Sequence, residues 1–127
     1  MPHSLKPLQV ALVEDDPRIR QLIEDEILDE GHSCCCFSNA EAFLEALPDL
    51  SVNLVLLDLM LPGMNGLDCL RALQTIPTRV TRHIAVVTAL NDSEKRDLAL
   101  ELGAEDYILK PDLFERLPEL LSSLHSD

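Results

Sequence analysis

The sequence predicts an α/β fold in which a five-stranded parallel sheet is doubly wound by five helices. Strand patterns and helical patterns alternate along the whole chain, which is the order expected of such a fold. Two of the strand patterns, residues 10–13 and Leu54–Leu57, are continuously apolar, as parallel strands covered on both faces usually are. The chain has 127 residues, about the size of one domain, and no linker or repeat interrupts it. We therefore expect a single domain over residues 1–127, with its core at about residues 8–124.

The first half of the chain contains two strand-helix units. Residues 10–13 form the first strand, and Pro17 fits the first turn of a helix whose apolar positions recur at helical spacing. A glycine ends this helix, and Ser33–Phe37 is the second predicted strand. The next helix is predicted over residues 40–47, with Ser38 as its cap because a glutamate follows three residues later.

The third and fourth units follow the same pattern. Leu54–Leu57 is the third strand, and a loop rich in proline and glycine separates it from a helix predicted over residues 67–74. Residues 84–87 form the fourth strand. The helix after them should have Ser93 as its cap and end at Gly103.

The last unit combines a short strand with an interrupted helix. The fifth strand is predicted over residues 107–109, and the helix that follows should end near Leu124. Pro118 lies inside this helix. Because proline lacks an N–H group and clashes with the preceding turn, we expect it to shorten or kink the helix.

The composition excludes several classes of function. Asp and Glu outnumber Lys and Arg by 23 to 10, and the resulting net charge of −13 repels a phosphate backbone. Direct binding to nucleic acid is therefore not expected. No apolar run approaches the roughly 20 residues of a membrane helix, and the N-terminus lacks the apolar core of a secretory signal. We expect no membrane contact and a location in the reducing cytoplasm.

The four cysteines give only a weak signal for metal or disulfide chemistry. Three of them are contiguous, and no two form a Cys-x-x-Cys pair. Because side chains alternate along a strand, Cys34 and Cys36 share one face while Cys35 takes the other, and no tight chelate follows. We expect the cysteines to be small, buried apolar side chains.

The residues that carry chemistry are expected at the carboxyl ends of the strands, where functional groups of open parallel sheets gather. Four of the five strands end in residues that can handle phosphate. They are Glu14, Asp15 and Asp16 after the first strand, Asp58 after the third, Thr88 after the fourth and Lys110 after the fifth. Each of these alone has an ordinary structural explanation, such as a helix-dipole contact, a turn cap or a solvated lysine. Only their joint placement indicates a site.

The chemistry of this set favours a cation and phosphoryl transfer. Crowded carboxylates repel each other unless a cation lies among them, and one lysine is too little to compensate. Mg²⁺ prefers hard oxygen ligands, which Asp15 and Asp58 can supply. A remaining oxygen of Asp58 can then attack phosphorus in line and form an acyl phosphate. Lys110 and the Thr88 hydroxyl would bind the phosphoryl oxygens.

Over roughly residues 8–124 the sequence resembles the receiver (response regulator) family of two-component signalling. The resemblance rests on four motifs at the predicted strand ends. They are LVEDDPR at residues 12–18, LLDLMLPGMNG at 56–66, VTA at 87–89 and YILKP at 107–111.

The resemblance implies a flavodoxin-like sheet with strand order 2-1-3-4-5 and a Mg²⁺ site. Asp58 resembles the phosphoacceptor of the family, and Glu14 and Asp15 resemble its acidic pair. The backbone carbonyl of Met60 resembles the third protein ligand of Mg²⁺. Asp16 could compete for the metal, but the resemblance favours Asp15.

The resemblance also implies a phosphate-binding and switching set. Thr88 and Lys110 would bind the phosphoryl group, and Thr88 with Tyr107 would change conformation on phosphorylation. Ala89 resembles the small residue that leaves room for the phosphoryl group. The family further implies a cis peptide bond before Pro111, since only bonds that precede proline adopt cis at low cost.

The implied protein is a signalling phosphoacceptor that assists its own phosphorylation and dephosphorylation, rather than an enzyme with a separate substrate. Its donor would be a histidine kinase or a histidine phosphotransfer protein. The downstream effector cannot be named from the sequence, and homodimerisation stays open. The segment after Leu124 is too short for another domain, which suits either a free-standing regulator or a receiver cut from a longer chain.

Other classes of function are also open. An aspartate-nucleophile phosphatase would use Mg²⁺ and a strand-end Asp, but it requires a second acid two residues later, where this chain has Met60. A receiver that acts only as an interaction scaffold would lack one or more site residues, and none is lacking. A flavin-binding domain of the same topology is disfavoured because the acidic loop after the first strand would repel a phosphate.

Overall fold

The five strands form one parallel sheet in the order β2-β1-β3-β4-β5, which confirms the predicted strand order. A computed structural model describes residues 6–76 and 82–125. The strands are β1 Gln9–Val13, β2 Ser33–Phe37, β3 Leu54–Leu57, β4 His83–Thr88 and β5 Asp106–Leu109. The α-helices are α1 Pro17–Asp29, α2 Ala40–Ala46, α3 Gly66–Thr75, α4 Ser93–Glu101 and α5 Leu113–His125. Among the described residues, no helix combines the length and apolar character that crossing a membrane requires.

The two central strands are buried because helices cover both faces of the sheet. All four residues of β3 are buried, and so are four of the five residues of β1. On one face, Ala11 and Val13 pack with side chains of α2 and α3, including Phe43 and Leu70. On the other face, alternate residues of β1 pack with side chains of α1 and α5. The continuous apolar runs therefore correspond to doubly covered parallel strands, as predicted.

Two predicted helix caps are wrong by one residue. Asn39, and not Ser38, caps α2, and its side chain accepts a hydrogen bond of 2.7 Å from the Ala42 amide. Asp92, and not Ser93, caps α4, and Ser93 is the first residue of that helix. In both cases two adjacent residues are able to cap, and the pattern of residue types alone does not choose between them. The end of α4 just before Gly103, which has a positive φ of 109°, agrees with the prediction.

Pro118 does not shorten helix α5, a kink at this residue stays a prediction, and the predicted cis bond before Pro111 is wrong. Helix α5 continues through Pro118 to His125. Leu117 and Leu121 on either side of the proline are buried in the core, and their burial offsets the backbone hydrogen bond that proline removes. The peptide bond before Pro111 is trans, like every other peptide bond among the described residues. Trans is favoured by about 0.5–1 kcal/mol at such bonds.

The cysteines follow the predicted pattern only in part. Cys69 in α3 is fully buried, but Cys35 is exposed because it lies on the edge strand β2. Cys34 and Cys36 are half-buried and share one face, as predicted. Their sulfur atoms lie 3.8 Å apart, close to the Glu24 carboxylate. The inference that no tight chelate follows stays a prediction, although the two sulfurs lie close together on one face of the strand.

Candidate functional site

The parallel register brings the acidic strand ends to one edge of the sheet. Val13 is level with Leu57, and the Asp58 amide donates to the Val13 carbonyl at 3.2 Å. Glu14 and Asp58 are consequently neighbours, and they are only 1% and 3% exposed. Carboxylate oxygens of Glu14, Asp15 and Asp58 all lie within 4.8 Å of one another, with Asp15 on the exposed side. The tertiary structure thus brings the three predicted acids together in what we call the acidic pocket.

Lys110 lies inside this pocket and bridges its two buried acids. Its Nζ is 2.8 Å from Asp58 Oδ2 and 2.9 Å from Glu14 Oε1. Burial alone would lower the pKa of Lys110, but the hydrogen bonds and charges of Asp58 and Glu14 outweigh burial and raise it. The lysine is therefore held as an ammonium ion. One cation still faces three carboxyl groups.

The loop after β3 holds Asp58 through backbone contacts. The Met60 amide donates to Asp58 Oδ1 at 3.0 Å, while the Met60 side chain is 55% exposed. The Gly66 amide donates to the Leu59 carbonyl at 3.0 Å. A Cβ atom on Gly66 would lie 2.4 Å from the Asp58 carbonyl oxygen and 2.6 Å from Leu59 Cα, so only glycine fits there. The role of the Met60 carbonyl as a metal ligand stays a prediction.

One residue that fixes this loop was not found from the sequence. The carboxylate Oε2 of Glu41 in α2 accepts a hydrogen bond of 3.0 Å from the Met64 amide. That bond lowers the pKa of Glu41. The sequence offered Glu41 as part of a capping box, but the structure uses it to tie α2 to the loop.

The predicted switch residues meet at Leu90, which sequence reasoning missed. Thr88 is fully buried at the end of β4, and its Oγ1 accepts a hydrogen bond of 3.4 Å from the Leu90 amide. The Tyr107 hydroxyl donates to the Leu90 carbonyl at 2.6 Å. Ala89 is exposed between them. Burial, followed by the charges of Asp92 and Asp58, raises the pKa of Tyr107, so its hydroxyl remains a donor.

The competing acid Asp16 has a separate structural role. Its side chain caps α1 by accepting hydrogen bonds from the Arg18 and Ile19 amides. The bond from the Arg18 amide, aided by the one from Ile19, lowers the pKa of Asp16. Because the Asp16 carboxylate is already used to cap α1, Asp15 is the better candidate for a metal ligand.

Arg20, which sequence reasoning did not single out, holds the backbone of the loop after β1. Its Nη1 donates to the Glu14 carbonyl at 2.8 Å and to the Asp15 carbonyl at 3.4 Å. Arg20 on α1 therefore fixes the backbone of both acids and leaves their carboxylates free to face the pocket. An arginine one turn into a helix that follows an acidic loop is the signal that would have indicated it.

The acidic pocket fits Mg²⁺ by the chemistry of its donors. Its donor atoms are carboxylate oxygens, with no sulfur or imidazole nitrogen in the group. Hard oxygen ligands of this kind, one or two of them carboxylates, are what Mg²⁺ selects. The mutual repulsion of the three acids also favours a bound cation. Glu14, Asp15 and Asp58 can therefore hold Mg²⁺.

Known proteins match the chain in sequence over most of its length. The family model described as the response regulator receiver domain matches residues 10–122. The transcriptional regulatory protein AruR of Pseudomonas aeruginosa is 39% identical over 108 residues, which are 81% of this chain and 43% of AruR. The chain thus spans less than half the length of this relative.

Solved structures match the fold. A receiver domain protein from Methanospirillum hungatei has a TM-score of 0.81 and 26% identity, and the match covers 94% of this chain and 97% of that one. The response regulator protein TrrA from Thermotoga maritima, solved in complex with Mg²⁺ and BeF, has a TM-score of 0.79 and 27% identity. That match covers 92% of this chain and 98% of TrrA.

Proposed function

Since the chain belongs to the response regulator receiver domain family, whose members accept a phosphoryl group in two-component signalling, we propose that Asp58 is the acceptor in this protein. The observation that carries the proposal is the placement of Asp58. It is a buried carboxylate at the end of the central strand β3, with Oδ1 held by the Met60 amide and Oδ2 by Lys110 Nζ. A carboxylate fixed at both oxygens is pre-oriented for in-line attack.

We propose that the acidic pocket supplies the metal requirement of the reaction. Glu14, Asp15, Asp58 and the Met60 carbonyl would hold Mg²⁺. When bound, Mg²⁺ supplies positive charge that offsets the carboxylates and the phosphoryl oxygens. Arg20 and the loop backbone keep Glu14 and Asp15 facing that position.

The transfer step forms one bond and breaks one. An oxygen of Asp58 attacks the phosphorus of a phosphohistidine on a histidine kinase or histidine phosphotransfer protein. The new P–O bond forms as the P–N bond breaks, and the electron pair of that bond returns to the histidine ring. Lys110 then moves its hydrogen bond from Asp58 Oδ2 to a phosphoryl oxygen, and its contact with Glu14 keeps it in place. The same pocket would assist the later hydrolysis.

The response to phosphorylation would pass through Leu90. In the present structure Thr88 Oγ1 accepts from the Leu90 amide, and Tyr107 donates to the Leu90 carbonyl. The Thr88 hydroxyl can also donate, and a phosphoryl group on Asp58 would offer it a charged acceptor that draws it away from the Leu90 amide. Movement of Thr88 would release Leu90 and, with it, the Tyr107 hydroxyl. Phosphorylation would thus bias two conformations of this segment.

The proposal is tested by labelling Asp58. Mg²⁺ with acetyl phosphate, or with beryllofluoride as a mimic, should give one adduct by intact-mass measurement. Asp58→Asn should give none. Asp16→Asn is the matched control, because it keeps the helix cap and should label like the wild type. Absence of an adduct with Mg²⁺ present, or the same adduct in Asp58→Asn, would show that the assignment is wrong.

A further inference from the structure

A second group of metal-ligating side chains lies outside the acidic pocket. Cys34 and Cys36 on the edge strand β2 face Glu24 on α1, and all three side chains are half-buried. The two sulfur atoms are 3.8 Å apart. With one carboxylate oxygen of Glu24, the three donor atoms all lie within 4.8 Å of one another. No residue of this group belongs to the acidic pocket.

The spacing of the sulfur atoms matches that of a tetrahedral metal centre. Two Zn–S bonds of about 2.3 Å that meet at the tetrahedral angle separate their sulfurs by about 3.8 Å. A Zn–O bond of about 2.0 Å would put a carboxylate oxygen about 3.5 Å from each sulfur. The observed separation of the two sulfurs already matches this spacing, and a Glu24 carboxylate oxygen lies within 4.8 Å of both.

We propose that Glu24, Cys34 and Cys36 form a binding site for a thiophilic divalent cation such as Zn²⁺, with water as the fourth ligand. Sulfur ligands select Zn²⁺ over Mg²⁺, so this site would take a different metal from the acidic pocket. Its occupation would link helix α1 to the edge strand β2 and stabilise the folded chain by mass action.

Loss of the two thiol protons is a cost that metal binding at this place must overcome. Burial, the neighbouring Cys36 thiol and the Glu24 carboxylate raise the pKa of Cys34. Burial and Glu24 raise the pKa of Cys36 in spite of the opposing effects of Cys34 and Arg20. Both thiols are therefore protonated without a metal, and binding releases their two protons to solvent as the metal–sulfur bonds form.

The nearby cation does not block the carboxylate. Arg20 binds the Glu14 and Asp15 carbonyls through Nη1. None of the ion pairs in the described part of the chain involves Glu24. Both thiols are free, so both sulfurs are available as ligands.

The experiment is a titration of the full chain with Co²⁺ and then Zn²⁺, in a non-thiol phosphine reductant and excess Mg²⁺. The charge-transfer absorption from thiolate to Co²⁺ reports sulfur ligands only, so Co²⁺ in the acidic pocket gives no signal. The wild type should bind one Co²⁺ and show this charge-transfer band, and Zn²⁺ should displace the Co²⁺.

The ligand variants should bind the metal more weakly. Because loss of an outer-shell partner already weakens metal binding by about 10–100-fold, Cys34→Ser or Cys36→Ser should weaken it by at least about 100-fold. Glu24→Gln, which keeps both thiols and the side-chain volume, should weaken it by at least about 10-fold.

The matched control is Cys35→Ser on the same strand, because Cys35 is exposed on the opposite face and should not affect binding. Every variant should still give the Mg²⁺-dependent Asp58 adduct, which shows that it is folded. A wild type without the band overturns the proposal. So does an equal band in Cys34→Ser, unchanged affinity in Glu24→Gln, or loss of the band in Cys35→Ser.

Discussion

Gly66 provides a direct test of how the loop after β3 positions Asp58. In Gly66→Ala the new Cβ would lie 2.4 Å from the Asp58 carbonyl oxygen and 2.6 Å from Leu59 Cα. Relaxed contacts between such atoms are about 3.5–4.0 Å, so the overlap is about 1 Å. Both atoms belong to the backbone and cannot rotate away. The loop, and with it Asp58, must shift.

The expected cost follows from two opposing effects. Overpacking of this kind costs about 1–3 kcal/mol, and the severe overlap places it at the upper end. Alanine has a higher helix propensity than glycine, which stabilises a helix by at most about 1 kcal/mol. The gain is smaller here because Gly66 is the first residue of α3. We expect the free energy of unfolding, measured with urea, to fall by about 2 kcal/mol. The rate of the Asp58 adduct with acetyl phosphate should fall as well, because the acceptor is displaced.

Gly31→Ala is the matched control for this prediction. Gly31 has a φ of +89°, and a Cβ there would meet no atom within 4 Å. Alanine in that conformation costs about 1–2 kcal/mol, a similar loss of stability, but at a site far along the chain from Asp58. Phosphorylation should therefore be unchanged in Gly31→Ala. A Gly66→Ala variant with the stability and labelling rate of the wild type would refute the packing argument.

Three further predictions concern the metal and the switch. Millimolar Mg²⁺ should raise the melting temperature of the wild type, and Asp15→Ala should lose most of that gain; a wild type that does not respond would count against the acidic pocket as a metal site. Without Mg²⁺, Asp15→Ala should be up to about 1 kcal/mol more stable in urea, because an exposed acid that repels its neighbours is gone; a clear loss of stability would make Asp15 structural instead. Thr88→Ala should still be phosphorylated, but its backbone amide signals near Tyr107 and along α4 should shift much less than in the wild type. Lys110→Ala should also blunt those shifts, and equal shifts in wild type and Thr88→Ala at matched phosphorylation would rule out the proposed switch.

Sequence patterns were sufficient to locate the strands and helices and the acids at the strand ends, while the strand order followed from the family resemblance. Apolar runs and helical spacing are local properties, so the strands were located to within a residue or two of their observed bounds. In a parallel sheet all carboxyl ends lie at one edge, and residues that follow separate strands must then be neighbours. Glu14, Asp15, Asp58 and Lys110 therefore meet as expected.

Local choices between equivalent residues were decided only by the folded chain. Ser38 and Asn39 can both cap a helix, and so can Asp92 and Ser93. The selected residue depends on where the packing of the helix against the sheet sets its first turn. Pro118 shows the same dependence, because buried neighbours hold α5 together across a residue that would end an isolated helix.

The sequence by itself determined which residues stand at the strand ends. The spacing of apolar residues that distinguishes strands from helices is a local property of the chain. Only the tertiary structure decided which side chains touch across elements. Leu90 joins Thr88 to Tyr107, Arg20 holds the acidic loop from behind, and Glu24 faces a pair of thiols on β2. Each of these contacts depends on the distance between two elements and on the rotamers that their packing allows. Sequence spacing does not encode either quantity.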